Sequence, residues 1–165
     1  MAGSHTLAET ERQVVEKLGS QPIDFDAMAV ISNVFRASSA VRNHLGRTVL
    51  LPNDLSWTAF VVLWVTWIWE EPETREVAEE GGISKATLTG ILKTLEKRGL
   101  VKRTKSSSDG RLVLVSLTKS GKSLMSDLFP KFNSKEVALA SIFRKEDQVS
   151  FAENLRLLTV HAQGL

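Results

Sequence analysis

Residues 83–117 read ISKATLTGILKTLEKRGLVKRTKSSSDGRLVLVSL, and this stretch decides the fold. Ser84 is a helix-capping residue type, and Leu88, Ile91, Leu92 and Leu95 follow at helical spacing. The pattern predicts a helix from about Ser84 to Arg98, closed by Gly99. Leu100–Thr104 and Leu112–Leu117 are rich in Val and Leu and predict two short strands. Lys105 to Gly110, between them, forms a polar hairpin tip. Upstream, Pro72 and Thr74 mark the start of a short helix, Thr74–Glu80, and Gly81-Gly82 makes a tight turn. Helix, turn, helix and hairpin in this order is the winged helix-turn-helix arrangement.

The flanking sequence is helical. Leu7, Val14, Val15 and Leu18 recur at helical spacing before Gly19. Asp24 can cap a second helix reaching about His44, with Met28, Ile31 and Phe35 as its stripe. Gly46 and Pro52 bracket a loop. Leu55 to Trp69 is almost entirely apolar, about 22 Å long as a helix at roughly 1.5 Å per residue. A bilayer core is about 30 Å thick, and Asp54 and Glu70 flank the run, so it reads as a buried core helix. Trp57, Phe60, Val61, Trp64 and Trp67 share one face. They either pack in the core or line a cavity for an aromatic ligand.

After Thr118 the helical period returns through Leu124, Met125, Leu128 and Phe129, with a kink expected at Pro130. A last helix, about Lys145–His161, is expected to bury Val149, Phe151, Ala152, Leu155, Leu158 and Thr159. The helices at both chain ends exceed what a small lobe needs, which suggests a homodimer. The expected class is mainly α with a small β-hairpin. Residues 1–50 and 119–165 would be dimerisation helices around a DNA-binding lobe at 51–118.

The 165 residues contain no cysteine, which excludes thiol catalysis, disulfides and cysteine zinc sites. The three histidines lie far apart in the sequence, and no phosphate-binding or nucleophile-elbow motif is present. Neither an enzyme nor a metal or cofactor site is expected. The first residues lack a basic start and an apolar run of the kind that directs secretion, so a cytoplasmic protein without membrane association is expected.

The net charge of +2 conceals an asymmetry. Ser84 to Arg111 holds eight basic and two acidic residues, whereas the rest holds thirteen basic and seventeen acidic ones. A local excess of +6 suggests a localised anionic partner, with double-stranded DNA the first candidate. A recognition helix places small or hydrogen-bonding side chains at its N-terminal end. Here Ser84, Lys85, Thr87 and Thr89 can reach base edges or phosphates. Ala86 can touch a thymine methyl, and Gly90 allows close approach. Lys93 and Lys97 are placed for phosphates. Thr74 on the preceding helix joins this set, as do Arg103, Lys105 and Arg111 on the hairpin. Asp109 is expected to pair with Arg111 and fix the wing, or to serve as the turn-forming partner of Gly110. The alternative is a winged-helix protein-interaction module, which would need an apolar recognition surface rather than this Lys and Thr pattern.

The sequence resembles the MarR (multiple antibiotic resistance regulator) family of bacterial transcription factors. The resemblance is carried by Ile83 to Thr89, by Leu95-Glu96-Lys97-Arg98-Gly99-Leu100-Val101 with Arg103, by Asp109-Gly110-Arg111, and by Leu117-Thr118 with Gly121. Ser56 stands where the family often has Thr, and Gly110 where it often has a second wing arginine. The resemblance implies a homodimer on a pseudo-palindromic operator, usually acting as a repressor. It also implies a small aromatic or phenolic effector bound between the dimerisation helices and the DNA-binding lobe. Trp57, Phe60 and Trp64 are then the stacking candidates, and Arg36, Arg42 and His44 the candidates to pair with an anion. Without cysteine, a thiol switch cannot operate.

Overall fold

The computed structural model describes residues 5–107 and 109–165. The chain forms two compact units, one ending at Asn43 and one running from His44 to Leu165.

The first unit contains α1 (Leu7–Leu18) and most of α2 (Phe25–Leu45). Thr6 caps α1: its Oγ1 accepts the Glu9 amide, and the Glu9 carboxylate accepts the Thr6 amide in return. Asp24 caps the start of α2 by accepting the Ala27 amide at 2.9 Å, as its sequence position predicts. Glu11 on α1 accepts from Asn33 and Arg36 on α2 at 2.9 and 3.3 Å. No residue of α1 is buried, and Ile31 and Phe35 of the predicted α2 stripe are exposed.

In the second unit, the segment expected to be a loop at 46–52 is helical instead. A π-helical turn spans Gly46–Leu50 and a 3-10 turn spans Leu51–Asn53. Val49 and Leu50 are buried there, and their burial carries the helical winding onward. Pro52 sits in the first turn of the 3-10 segment, where its missing N–H costs no hydrogen bond. Next comes α3 (Trp57–Trp69), capped by Ser56, whose hydroxyl accepts the Ala59 amide at 3.1 Å. It starts two residues later than the apolar run, because Leu55 is buried within the turn before the cap.

α3 lies at the centre of this unit and packs against α4 (Thr74–Glu80), α5 (Lys85–Lys97), β2 (Val113–Leu117) and α6 (Lys119–Ala140). Its last turn departs from the expected all-round burial, since Ile68 and Trp69 are exposed. Thr66, the buried hydroxyl in the helix, donates to the Val62 carbonyl at 2.8 Å. β1 (Val101–Lys105) pairs antiparallel with β2, in a register from Val101 opposite Leu117 to Lys105 opposite Val113. A short bridge from Glu73 to Leu114, and a hydrogen bond from the Val115 amide to the Pro72 carbonyl, extend the hairpin toward α4.

Thr118 caps α6 and does a second task. Its hydroxyl accepts the Gly121 amide at 3.1 Å and donates to the Gly99 carbonyl at 2.6 Å, while its amide donates to Leu100 at 3.0 Å. A Cβ on Gly121 would run into the Leu100 carbonyl oxygen, so glycine is what lets α6 start against the end of α5. Pro130 lies inside α6 without ending it. The last helix, α7 (Lys145–Gln163), corrects an expectation: none of its residues is buried. Val149 is 61% exposed and Phe151 48%. Phe151 does stack on Phe143, with ring centroids 5.3 Å apart.

The Gly121→Ala variant is expected to lose about 1–3 kcal/mol of stability through overpacking at Leu100. Urea denaturation followed by circular dichroism reads this directly, and an unchanged midpoint would contradict the close approach.

Candidate nucleic-acid interface

The buried and exposed faces of α5 separate cleanly. Leu88, Leu92 and Leu95 are buried, which turns the opposite face outward. Lys85, Thr89, Lys93 and Lys97 then form one exposed row at four-residue spacing. Beside it runs a second exposed row of small residues, Ala86, Gly90 and Thr94. A cationic row beside a low ridge suits a helix that approaches a phosphate-walled groove closely. Among the described residues, Lys85, Lys93, Lys97, Lys102 and Lys105 take part in no ion pair.

The hydroxyls on α5 have local partners as well. Ser84 caps the helix, accepting the Thr87 amide at 3.2 Å, and its hydroxyl shares a 2.9 Å hydrogen bond with that of Thr87. Thr89 Oγ1 donates to the Lys85 carbonyl at 2.9 Å. Capping by Ser84 is therefore real, and it leaves both Ser84 and Thr87 exposed. Gly82, with φ +58°, makes the turn into α5, and Gly99, with φ +68°, makes the turn out of it.

The wing carries the expected pair. Arg111 donates from Nε and Nη2 to the Asp109 carboxylate at 3.2 and 3.1 Å, and its amide donates to the same carboxylate at 2.9 Å. These bonds from the Arg111 side chain and backbone hold the Asp109 carboxyl below the usual carboxylate range. Because that value is depressed, the stability the pair contributes is present above the ordinary carboxylate range and is lost as pH falls through the lowered value. Arg111 is 91% exposed despite the pairing, so its guanidinium remains presented to solvent. Thr74, Lys85, Thr89, Arg103 and Arg111 all line one cleft of about 660 Å³ between α4, α5 and the hairpin.

Two arginines of the basic stretch are engaged internally. Arg98 donates to the Asp54 and Asn53 carbonyls at 2.6 and 3.2 Å, clasping the turn before α3. Arg103 forms a two-pronged pair with Glu96, Nε to Oε1 at 3.0 Å and Nη2 to Oε2 at 2.6 Å. That pair lowers the Glu96 pKa and raises that of Arg103. Sequence reasoning assigned Arg103 to DNA and passed over Glu96. The available signal was an acidic residue inside an otherwise basic helix.

The six effector candidates are divided between the units. Arg36 and Arg42 belong to the first, where Arg36 pairs with Glu11 and Arg42 is exposed. His44, Trp57, Phe60 and Trp64 belong to the second. There the aromatic face of α3 meets phenylalanines of α6. Phe60 stacks on Phe132 at 4.4 Å, Trp64 stacks on Phe129 at 4.5 Å, and Trp57 lies 6.3 Å from both Phe60 and Phe132. The cleft beside α5 draws on none of these six residues.

A sequence model of the MarR family matches residues 55–113, from the turn before α3 to the start of β2. YwaE of Bacillus subtilis (strain 168), an uncharacterized HTH-type transcriptional regulator, is 36% identical over 145 residues, covering 86% of this chain and 85% of YwaE. The chain belongs to the MarR family. It is accordingly a DNA-binding transcriptional regulator with a winged helix-turn-helix, and not an enzyme. Its fold is similar to that of a putative MarR-like transcription regulator from Bacillus cereus ATCC 10987, with a TM-score of 0.73 and 19% identity over 84% of this chain and 99% of that one. It is also similar to BpsR of Bordetella bronchiseptica, with a TM-score of 0.69 and 22% identity over 78% of this chain and 98% of BpsR. The DNA binding of BpsR is regulated by 6-hydroxynicotinic acid. No single helix among the described residues is long and apolar enough to cross a membrane.

Gly90 provides a test in which stability and binding move in opposite directions. A Cβ at Gly90 meets nothing within 4 Å in the protein. Gly90→Ala is expected to stabilise the fold by about 0.5–1 kcal/mol while weakening DNA binding, the outcome expected of a helix that meets DNA along this ridge. Thermal melting and a gel-shift titration on the same samples check both signs.

Proposed function

We propose that this MarR-family protein acts as a homodimer on a pseudo-palindromic operator in the bacterial cytoplasm. In this reading it represses transcription and is released by a small aromatic or anionic ligand. The observation that carries the proposal is the cationic row Lys85, Lys93 and Lys97 on the exposed face of α5, in no ion pair among the described residues, with Lys85 lining the same cleft as Arg111 of the wing. Lys93 and Lys97 supply phosphate contacts, Ser84, Lys85, Ala86, Thr87 and Thr89 meet base edges, and Gly90 gives the room for it. Lys105 and Arg111 reach the flanking minor groove, where a narrow A·T stretch concentrates negative potential. Thr74 adds a contact from the start of α4.

The homodimer is supported by apolar surface that one chain leaves in water. On α7, Val149, Leu157 and Val160 are 61%, 69% and 68% exposed, and Phe35 on α2 is 71% exposed. Single exposed apolar residues are ordinary, but a helix with no buried residue has no stabilising face of its own. A second copy supplies the missing cover. Two recognition helices related by a two-fold axis then read half-sites about one helical turn apart. The effector part of the proposal is supported by BpsR, which has this fold, and by the half-buried Trp57 and Trp64 on the aromatic face of α3 as stacking groups, with Phe60, buried against Phe132, behind them. Arg36, Arg42 and His44 remain the proposed anion-pairing groups.

Selection of genomic fragments by the purified protein, repeated with and without aromatic acids, tests the whole reading. Two-fold symmetric sequences should be enriched, and an acid that binds should deplete them and change the tryptophan fluorescence. Failure to enrich any shared sequence would overturn the proposal. On the selected operator, Arg111→Ala should weaken binding by about 1–3 kcal/mol with an unchanged circular dichroism spectrum. Unchanged affinity at moderate salt would remove Arg111 from the interface. Leu157→Asp combined with Val160→Asp should raise the dimer dissociation constant at least about a hundredfold in sedimentation experiments, the equivalent of roughly 3 kcal/mol. The folded single chain, which buries neither residue, should keep its helix content.

A further inference from the structure

Glu96 is the acidic residue of α5, inside the basic stretch from Ser84 to Arg111. A carboxylate there repels DNA, and loss of one such charge should by Coulomb's law strengthen binding to any duplex. Its position in the fold gives it a different task. Glu96 lies in the last turn of α5, and both of its oxygens accept from Arg103, at 3.0 and 2.6 Å. Arg103 sits in the middle of β1, opposite Val115, which is fully buried in the core. Among the described residues this is the one ion pair that joins the recognition helix to the wing.

The rest of β1 gives the wing little hold. From Lys102 to Lys105 every β1 residue is exposed, and the core grips the hairpin through Val101 and the Val115–Leu117 end of β2. A planar guanidinium meeting a carboxylate edge to edge fixes orientation as well as distance, which a point charge cannot do. The tip beyond Lys105 therefore takes its direction from this pairing on the β1 side and from the Pro72 and Glu73 contacts on the β2 side.

Resting on the DNA-binding reading above, we propose that Glu96 and Arg103 are positioning residues. Their two-pronged pair sets the angle between wing and recognition helix, and so the spacing between the major-groove bases read by α5 and the minor-groove step reached by Arg111. Sequence discrimination depends on this spacing, and general affinity for DNA does not. Arg103 thus serves the interface chiefly by aiming the wing.

Two substitutions separate aiming from charge. Glu96→Gln removes the repulsive charge, and Arg103→Lys keeps the net charge but gives up the edge-to-edge geometry. If the pair positions the wing, both variants lower the ratio of operator to nonspecific affinity roughly tenfold. Affinity for a nonspecific duplex should rise for Glu96→Gln and, for Arg103→Lys, change by less than operator affinity does. In the free protein, nitrogen-15 relaxation should report greater mobility of the β1 and β2 amides in both variants, with the α3 and α6 amides unchanged. The proposal is overturned if Glu96→Gln tightens operator and nonspecific duplex by the same factor. It is equally overturned if Arg103→Lys leaves the ratio or the hairpin mobility as in the parent. A parent that prefers no sequence would instead sink the operator reading, and that result is visible before any variant is made.

Discussion

The core of the larger unit is organised by a helix that is apolar on every side. α3 carries no charged residue over its thirteen positions. A helix apolar on every side must be wrapped, and α4, α5, α6 and β2 do the wrapping. Each contributes its own apolar stripe, and in doing so each has its outer face chosen for it. The recognition helix turns Leu88, Leu92 and Leu95 toward the core, so Lys85, Thr89, Lys93 and Lys97 can only point away from it. The chemistry of the surface is in this sense a by-product of packing underneath.

Hydrophobic packing leaves the helix free to slide or rotate slightly, and the polar contacts at the C-terminal end of α5 remove that freedom. Arg98 clasps the Asn53 and Asp54 carbonyls, Glu96 holds the wing through Arg103, and the Gly99 and Leu100 carbonyls receive Thr118. Gly121 lets α6 begin against the same carbonyl. Three elements therefore converge on a few peptide groups at one end of the recognition helix. Its other end is anchored by the Ser84 cap and the Gly81-Gly82 turn.

Local signals in the sequence were sufficient where the interaction itself is local. The bounds of α4, the caps at Asp24 and Ser84, and the Asp109 to Arg111 pair all involve residues within a few positions of one another. Partners far apart along the chain escaped. Arg98 and Asp54 are separated by forty-four residues, and no periodicity links them. Residues 46–53 look like a loop because Gly and Pro interrupt the pattern, yet the burial of Val49 and Leu50 keeps the backbone helical. The apolar spacing of α7 correctly signals a helix that wants cover. It does not say what supplies that cover, and the helix has no buried residue. The aromatic face of α3 was ambiguous for the same reason: its spacing is the same whether the rings meet phenylalanines or a ligand, and Phe129 and Phe132 lie about seventy residues away, beyond any local pattern.

The rows Lys85, Thr89, Lys93, Lys97 and Ala86, Gly90, Thr94 point into solvent and contribute nothing to the core. Most of these side chains can be exchanged without the fold registering the change. A duplicated copy of the gene could then wander toward a new binding sequence through intermediates that all still fold. Such drift would stop abruptly at the root of the helix, where Glu96, Arg98 and Gly99 tie the reading surface to everything else.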